Sequence, residues 1–354
     1  MILHVAWSGR IGGIERLVEG ILRSPKRSHG YVHQACLLDG SGPIGDRLVE
    51  EGLALRLGFR RGYDVRGLWR LARALRRLRP RVIHFHTHAI GSHAVALVAC
   101  PGALRVYTEH SPRSLRRDRK FQLLYGVLRR TMAAFIASSP RMAEVIARRG
   151  VEPARIVVIP NGVAMPHRAG PQIARSPATL GVVARLEPQK RLDLFLDVLA
   201  ALRHSGADCV GLMVGDGSLR DDLTRHGEAL GLGGVVEFAG EQENTVPWLD
   251  RMDVFLMTSE FEPFGIAALE AMARGVPVVA MPCPGGLADI VRSGGLLLLD
   301  RDVETAAASV GRLLDSEHER ARLRARGTAL ASEHSFDRVV AELDELYRHL
   351  CRAA

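Results

Sequence analysis

The sequence predicts an α/β protein built from two doubly wound domains in tandem, followed by one further helix. Three observations support this prediction. Short β-branched runs alternate with helical patterns, a polar segment rich in Pro and Gly divides the alternation, and 354 residues suffice for two separate cores. We expect an N-terminal domain over residues 1–165, a C-terminal domain over 166–335 and a terminal helical segment over 336–354.

The first half contains seven strand-like runs. Apolar and often β-branched residues dominate them, as in the strands of a parallel sheet that helices cover on both faces. The runs are 2–7, 31–38, 53–57, 82–86, 104–108, 133–138 and 156–160. Residues 14–22 and 65–78 lie between runs and carry apolar side chains at helical spacing. This half therefore predicts one doubly wound domain.

The second half repeats the alternation after a polar segment. The sequence NGVAMPHRAGPQIARSPAT follows Pro160 and is typical of a connection between domains. Six further runs then occur at 179–184, 208–215, 235–240, 253–258, 276–281 and 295–299. The last helical run, 336–350, has no strand after it. Because doubly wound domains bind ligands at the carboxyl ends of their strands, we expect the two domains to face each other across a ligand-binding crevice.

The composition is ordinary for a soluble globular protein, with 47% hydrophobic and 25% charged residues. The five cysteines are scattered and form no CxxC pair, which indicates a reducing compartment and no zinc site. The N-terminus lacks the basic flank and cleavage site of a signal peptide, and no apolar run approaches the roughly 18 residues of a membrane-spanning helix. We therefore expect a cytoplasmic protein.

The net charge of +9 is divided unevenly along the chain. Residues 1–165 contain 28 Lys and Arg against 11 Asp and Glu, or +17, whereas residues 166–354 contain 20 against 28, or −8. An asymmetry of this size indicates that the first half faces an anionic partner.

Two carboxylates lie in the segment SEFEPFGIAALEAM (259–272), which predicts a short helix between two buried strands. Pro263 suits the first helical position, and the helix is expected to end at Arg-Gly, 274–275. Burying a lone carboxylate costs several kcal/mol, so each needs a partner. Two interpretations are open here. Either ligand groups partner Glu262 and Glu270, or Glu262 complements the helix dipole and Glu270 forms a buried ion pair.

Basic residues and glycines mark other ends of predicted strands. Arg185 and Lys190 bracket a turn between a strand and a helix, where a guanidinium fork and an ammonium can clamp a diphosphate. GRIGGIER (9–16) and VGDGSLR (214–220) are glycine-rich turns that allow a backbone to approach phosphate at a helix N-terminus. Neither has the spacing of a known nucleotide fingerprint, so tight-turn geometry alone is the alternative explanation.

Taken in order, these motifs resemble family 4 of the retaining GT-B glycosyltransferases (glycosyl transferases group 1) over nearly the whole chain. The matching segments are GGIER (12–16), 137–163, GVVARLEPQK (181–190), VGDGSLRDDL (214–223), EPFGIAALEAMARGVPVVA (262–280) and GG (285–286). Glu262 and Glu270 form the family's E-x7-E signature. The resemblance implies the GT-B fold, in which two Rossmann-like domains face across a crevice and the C-terminal helix crosses back to the first domain.

The resemblance also implies roles for individual residues. Arg185 and Lys190 would stabilise the leaving diphosphate, Glu262 would engage the donor sugar, and His110 would lie near the transferred sugar. Glu270 would bind the ribose hydroxyls. The other implied donor-binding positions are Gly12, Gly13, Phe264, Gly265, Ile266, Gly215, Gly285 and Gly286. Two departures, Arg191 where many relatives have Gly and Asp289 where Glu is usual, leave the identity of the sugar open.

The expected reaction is transfer, with retention, of a sugar from a nucleotide diphosphate sugar to a hydroxyl of a carbohydrate or lipid-linked acceptor. Synthesis of a cell-surface polysaccharide or glycolipid is the expected setting. We expect no cofactor and no metal, because the protein supplies the positive charge. His84, His86 and His88 alternate along a predicted strand and suggest a metal site, but no Cys or acidic ligand stands nearby. We favour crevice lining for them.

Two further interpretations concern the basic first half. Residues 60–81 and 111–130 are Arg-rich with interleaved aromatics, which suggests a nucleic-acid-binding protein, but no binding motif accompanies them and we expect no nucleic-acid partner. A phosphorylase or nucleotide-sugar epimerase would share the fold. The basic amphipathic patterns of 65–78 and 111–130 also predict peripheral contact with an anionic membrane surface, through 111–130, on the inner face of the cell membrane. The alternative is that the leucine stripe packs on the sheet.

Overall fold

The computed structural model describes residues 1–24, 31–60, 64–110, 119–165 and 176–353. The chain divides into two compact units: residues 1–162 together with 336–354, and residues 163–335. Each unit contains one fully parallel sheet with its own apolar core.

The first unit has a seven-stranded sheet of order β3-β2-β1-β4-β5-β6-β7. Its strands are β1 (Ile2–Ala6), β2 (His33–Leu37), β3 (Ala54–Arg56), β4 (Val82–Phe85), β5 (Leu104–Glu109), β6 (Ala134–Ala137) and β7 (Ile156–Val158). The helices between them are α1 (Gly13–Arg23), α2 (Pro43–Glu50), α3 (Val65–Leu78), α4 (Ile90–Ala99), α5 (Arg119–Thr131) and α6 (Pro140–Arg148). The order reverses at β1, which pairs with β2 on one side and β4 on the other.

The second unit has a six-stranded sheet of order β10-β9-β8-β11-β12-β13. Its strands are β8 (Ala178–Val183), β9 (Cys209–Val214), β10 (Val236–Gly240), β11 (Val254–Met257), β12 (Val278–Ala280) and β13 (Leu296–Leu297). Its helices are α7 (Leu192–His204), α8 (Arg220–Ala229), α9 (Val246–Leu249), α10 (Ile266–Ala273), α11 (Leu287–Gly294), α12 (Val303–Asp315) and α13 (Glu317–Glu333). The order reverses here between β8 and β11, so loops after these strands lie at a switch point, where doubly wound sheets bind ligands.

The last helix, α14 (Phe336–Ala353), belongs to the first unit. Val340 and Tyr347 are fully buried in an apolar cluster with residues of β1, β4, β5 and β6. The ring of Phe336 lies so close to Gly20 that a Cβ there would be 2.3 Å from it, which explains the glycine within α1. The helix also carries Asp344, whose side chain is fully buried.

The predicted fold class is confirmed. Each of the thirteen predicted strands is present, and every pairing between them is parallel. The short helix between two buried strands is also present, as α10 between β11 and β12. Across the described residues, no helix combines the length and the apolar character that a membrane crossing requires.

The leucine stripe of α3 packs on the sheet. Leu71 and Leu75 are fully buried, and Leu68 and Leu78 pack against the same core. The stripe is therefore part of the core, which was the alternative to membrane contact for this helix. Trp69 lies on the opposite face of the helix and is 62% exposed. Of the second basic segment, residues 111–118 lie outside the described part of the chain.

Candidate active site

Two loops of the second unit are joined backbone to backbone. The amide of Glu262 donates to the carbonyl of Pro284 at 3.1 Å, and the amide of Gly286 donates to that of Pro263 at 2.9 Å. Gly285 has a φ of +118°, and a Cβ there would lie 1.9 Å from the Glu262 carbonyl oxygen. Only glycine fits this position, and the loop that carries Glu262 is therefore held at close range by the loop after β12.

Arg301 braces the same two loops. Its guanidinium donates to the carbonyls of Thr258 at 2.6 Å, Ser259 at 2.8 Å and Pro282 at 3.1 Å. Charged donors make the stronger class of hydrogen bond, so three of them on one guanidinium stiffen the loops. Sequence reasoning missed this residue, because Arg301 lies in no motif and its partners are backbone atoms.

Lys190 and Glu262 form an ion pair, with 2.5 Å between Nζ and Oε2 and side chains only 17% and 12% exposed. The hydroxyl of Ser259 donates to the same Oε2 at 3.4 Å, and Thr258 Oγ1 donates to the Lys190 carbonyl at 3.0 Å. Glu262 thus has a cationic partner within the second unit. The other oxygen, Oε1, accepts no hydrogen bond from the described residues.

Arg185 follows the end of β8 and is exposed. Its guanidinium makes no ion pair or hydrogen bond with any residue that the structure describes. The loop around it is fixed by its backbone, since Leu186 donates to Asp216 at 3.0 Å. Gly215, with φ +136°, comes so close that a Cβ would be 1.9 Å from the Ala184 carbonyl oxygen. Gly215 therefore permits the loops after β8 and β9 to touch beside Arg185.

Helix α10 starts at Ile266, not at Pro263 as predicted. Gly265 precedes it with a φ of +94°, a left-handed conformation that interrupts the helical backbone and leaves Pro263 in the loop. Phe264 is 4% exposed and its ring lies 5.9 Å from that of His334, so only its backbone is available to a ligand. Glu270 is half-buried in the body of the helix. The predicted helix end is confirmed, since Arg274 is the C-cap.

Gly12 and Gly13 lie at the start of α1 in the first unit, where Gly12 is the N-cap. Ser8 Oγ donates to Glu15 Oε1 at 2.6 Å, which folds the Glu15 carboxylate back over this turn. A Cβ at Gly12 would lie 2.5 Å from Glu15 Oε2. The glycine makes room for this carboxylate, in agreement with a role in turn geometry.

His110 follows β5 and ends a row of hydrogen-bonded histidines. His110 Nε2 is 3.0 Å from His86 Nδ1, His86 Nε2 is 3.1 Å from His4 Nδ1, and His4 Nε2 is 3.0 Å from His33 Nδ1. His33 Nε2 in turn lies 3.1 Å from the carboxylate of Asp344. Sequence reasoning singled out His110 and His86 but missed the other three. A histidine within a buried apolar strand, as in ILHVAW, was the available signal.

Burial controls the charge of these rings. It holds the pKa of His4 and that of His86 well below 6.5, helped by neighbouring histidines, and lowers the pKa of His110 to about 3. The pKa of His84 is also held well below 6.5, by burial and then by the nearby rings. These imidazoles are therefore neutral at pH 7.

The expectation that His84, His86 and His88 line a crevice is wrong for the first two. Strand β4 is buried on both faces, and His86 directly follows its last residue, Phe85. His84 and His86 are only 1% and 5% exposed. His88 has a different partner, since its Nδ1 lies 2.5 Å from the Tyr107 hydroxyl. A different triplet, His4, His84 and His86, has ring nitrogens within 4.8 Å of one another, the spacing of a metal site.

The structure thus brings Lys190, Glu262, Gly285 and Gly286 together, with Arg185 and Gly215 on the neighbouring loops of the same unit. Gly12, Gly13 and His110 belong to the first unit. Two parallel doubly wound sheets, with basic residues and an E-x7-E pair at strand ends of the second, define the class of GT-B glycosyltransferases.

Family models agree with this class. Residues 11–165 match the model Glycosyltransferase Family 4, and residues 166–329 match the model Glycosyl transferases group 1. The chain belongs to this family of glycosyltransferases, and the predicted class of enzyme is confirmed.

Individual relatives are more distant. The chain is 29% identical over 285 residues to the glycogen synthase of Mycobacterium tuberculosis, covering 76% of this chain and 69% of the relative. It is 29% identical over 301 residues to the D-inositol 3-phosphate glycosyltransferase of Frankia alni, covering 76% and 74%. Among solved structures, Anabaena HepE in complex with UDP and glucose superposes with a TM-score of 0.83 at 20% identity, covering 98% of each chain. The galactosyltransferase WaaB gives a TM-score of 0.71 at 16% identity, covering 97% and 98%.

Proposed function

We propose that the enzyme transfers a sugar from a nucleotide diphosphate sugar to a hydroxyl of a carbohydrate or lipid-linked acceptor, with retention at the anomeric carbon. Synthesis of a cell-surface polysaccharide or glycolipid is the proposed setting. One observation carries the proposal. Glu262 is oriented by Lys190 through one oxygen while its other oxygen accepts nothing from the described residues. Such a carboxylate is placed to accept from a sugar hydroxyl.

Lys190 and Arg185 supply positive charge for the departing diphosphate. As the bond from the anomeric carbon to the diphosphate oxygen breaks, negative charge develops on that oxygen, and preorganised cations stabilise it. Arg185 has no competing carboxylate among the described residues, whereas Lys190 is shared with Glu262. The acceptor oxygen forms the new bond on the face that the diphosphate leaves, and the hydroxyl proton passes to the departing diphosphate oxygen. HepE, one of the structural neighbours, is a protein solved in complex with UDP and glucose.

A thermal-shift screen against nucleoside diphosphates and their sugars tests the donor class, because a ligand that binds only the folded state raises the melting temperature. Lys190→Ala then tests the mechanism. Removing one preorganised donor at developing charge costs on the order of 100- to 1000-fold in turnover. Arg225→Ala is the matched control, since Arg225 pairs with Asp222 at an exposed site of the same unit. Equal turnover of the two variants would contradict the proposed role of Lys190.

Glu262→Gln tests the carboxylate. The amide keeps the size of the side chain but removes the charge that holds Lys190, so turnover should fall more than donor affinity. Full activity of this variant would make Glu262 a structural residue.

We further propose that no divalent metal takes part, because Arg185 and Lys190 provide the charge that a metal would supply. Activity should then survive EDTA with an unchanged rate. Loss on chelation followed by rescue with one divalent ion would refute this and direct attention to His4, His84 and His86.

For the acceptor side, we propose reversible contact of the first unit with an anionic membrane. Within the described part of 111–130, Tyr125 and Leu128 are buried and cannot insert. The exposed face of α3 offers a second contact, with Trp69 and Val65 at 62% and 78% exposure. Exposed arginines surround them at 66, 70, 73, 76 and 77. Each basic residue near such a surface contributes about 1 kcal/mol.

Vesicle co-sedimentation tests this contact. Binding should require anionic lipid and fall with added salt. Trp69→Ala, and separately alanine at Arg116, Arg117, Arg119 and Lys120, assign the contact to α3 or to 111–130. Equal partitioning of the wild type onto neutral and anionic vesicles, or none on either, would exclude the membrane.

A further inference from the structure

The row of histidines in the first unit has a defined direction. It runs from the carboxylate of Asp344 through His33, His4 and His86 to His110, and each link joins a nitrogen of one ring to the opposite nitrogen of the next. His33, His4, His86 and Asp344 are at most 5% exposed, whereas His110 is partly exposed. The row therefore connects a buried acid on α14 to the end of β5.

As long as every imidazole is neutral, the row has only two patterns of hydrogen bonding. A neutral ring donates from one nitrogen and accepts at the other. As a carboxylate, Asp344 can only accept, so His33 must carry its proton on Nε2. Each following ring must then do the same, and His110 presents an unprotonated Nδ1. With Asp344 protonated, every link reverses and His110 presents an N–H at Nδ1.

Several residues lie beside the row without breaking its chain of hydrogen bonds. His84 does not interrupt it, because its two nitrogens lie 2.7 Å from the Tyr347 hydroxyl and 2.6 Å from Thr108 Oγ1. Other titratable groups that face the row are Tyr31 and Tyr347 near Asp344, and His88 near His110. His110 Nδ1 has no partner among the described residues.

We propose that Asp344 sets the hydrogen-bonding role of His110 through His33, His4 and His86, and that the five groups form a proton relay. A proton taken up at His110 Nδ1 releases the proton on its Nε2 to His86 Nδ1. The same exchange repeats at His86, His4 and His33, and the last proton reaches Asp344. One proton enters, one carboxylate is neutralised, and no imidazole keeps a charge. The relay thus converts His110 from an acceptor to a donor without placing a cation in the core.

The implied position of His110 near the transferred sugar rests on the proposed function, but the relay itself does not. Its test therefore uses nuclear magnetic resonance of the full chain without substrate. Long-range ¹H–¹⁵N correlation distinguishes protonated from unprotonated ring nitrogens. At pH 7.5 we expect His4, His33, His86 and His110 all to carry the proton on Nε2. A mixture of tautomers along the row would overturn the proposal.

Asp344→Asn is the decisive variant. An asparagine amide can donate as well as accept, so His33 is no longer restricted and His110 should show both tautomers. Asp337→Asn is the matched control, since Asp337 lies on the same helix but accepts from Ser24 at 2.9 Å. An unchanged His110 in Asp344→Asn, or equal changes in both variants, would refute the relay.

Two further outcomes keep the proposal testable if Asp344→Asn does not fold. In the wild type, any change of tautomer should occur in all four rings together, and a change confined to some of the rings would contradict the relay. Metal analysis of the purified protein tests the alternative that the rings of His4, His84 and His86 bind a metal ion. A stoichiometric metal on His4, His84 and His86 would require ring nitrogens that the hydrogen bonds occupy, and would overturn the proposal.

Discussion

Gly285→Ala should lower turnover by moving the loop that carries Glu262, and this effect should exceed the one caused by lower stability of the second unit. An added Cβ would lie 1.9 Å from the Glu262 carbonyl oxygen and 2.6 Å from its carbonyl carbon. Contacts of a Cβ essentially never fall below 3.0 Å, so the two loops must separate by at least 1.1 Å, from 1.9 to 3.0 Å. Arg301 donates hydrogen bonds to both loops. The separation must therefore either strain these hydrogen bonds or displace Glu262.

The expected loss follows from these distances. A φ of +118° is strained for alanine, at a cost of about 1–3 kcal/mol in folding stability. A misplacement of about 1 Å at a catalytic group lowers turnover by about 100-fold. Glu262 holds Lys190 at 2.5 Å, so a shift of Glu262 also moves Lys190. The loss of turnover in the variant should therefore be larger than the fall in its melting temperature explains.

Gly275→Ala is the control. Gly275 also has a positive φ, +72°, but the nearest atom to an added Cβ is Arg324 Cδ at 3.8 Å. It should lose about 1–2 kcal/mol of stability and keep its turnover. The assay measures thermal unfolding and donor-dependent sugar transfer on both variants at a temperature where both are folded. Normal turnover in Gly285→Ala would refute the coupling between the two loops and Glu262.

Three other outcomes follow from the same structure. Glu270→Ala should raise the KM for the donor more than it lowers kcat, as measured by steady-state kinetics, because the ribose contact that the family resemblance implies for Glu270 would be present in both the ground and the transition state. Arg301→Ala should destabilise the second unit by about 2–4 kcal/mol in denaturant titrations, since it leaves three buried-loop carbonyls without their charged donor. Acid should destabilise the first unit. Burial holds the pKa of His4 and that of His84 below 6.5, so the unfolded chain takes up protons first, and stability should fall below pH 6.5 by up to about 1.4 kcal/mol per pH unit for each such histidine.

The central strands were the most predictable because their side chains are buried on both faces, as in β1, β4, β6 and β11. Runs such as AAFIAS and VPVVAM have few polar positions, and the glycine and proline breaks between runs mark where each ends. Helix starts were less predictable. Pro263 has the favoured chemistry of a first turn, but the left-handed Gly265 two residues later delays the helix to Ile266. A tertiary contact, with Leu287 Cδ1 2.5 Å from where a Gly265 Cβ would be, accompanies that conformation.

The site was predictable only as far as its motifs extend. Glu262, Glu270, Arg185 and Lys190 belong to local patterns, and a local pattern can be read without knowing the fold. The pairing of Lys190 with Glu262 could not be read, because 72 residues separate them and only the adjacency of β8 and β11 brings their loops together. The sequence offered ligand groups or the helix dipole as partners of Glu262, and the order of the sheet supplies Lys190 as a further partner.

The same reasoning explains why the histidine row escaped prediction. His4, His33 and His86 lie on or directly after three strands, β1, β2 and β4, that are neighbours only because the sheet reverses its order at β1. Asp344 is 311 residues from His33 along the chain and reaches it only because α14 packs beneath these strands. Polar rings at the centre of a doubly wound sheet are costly unless each nitrogen has a partner. The last helix therefore does more than cover an apolar surface, because its carboxylate completes a row of partners that no other described element supplies.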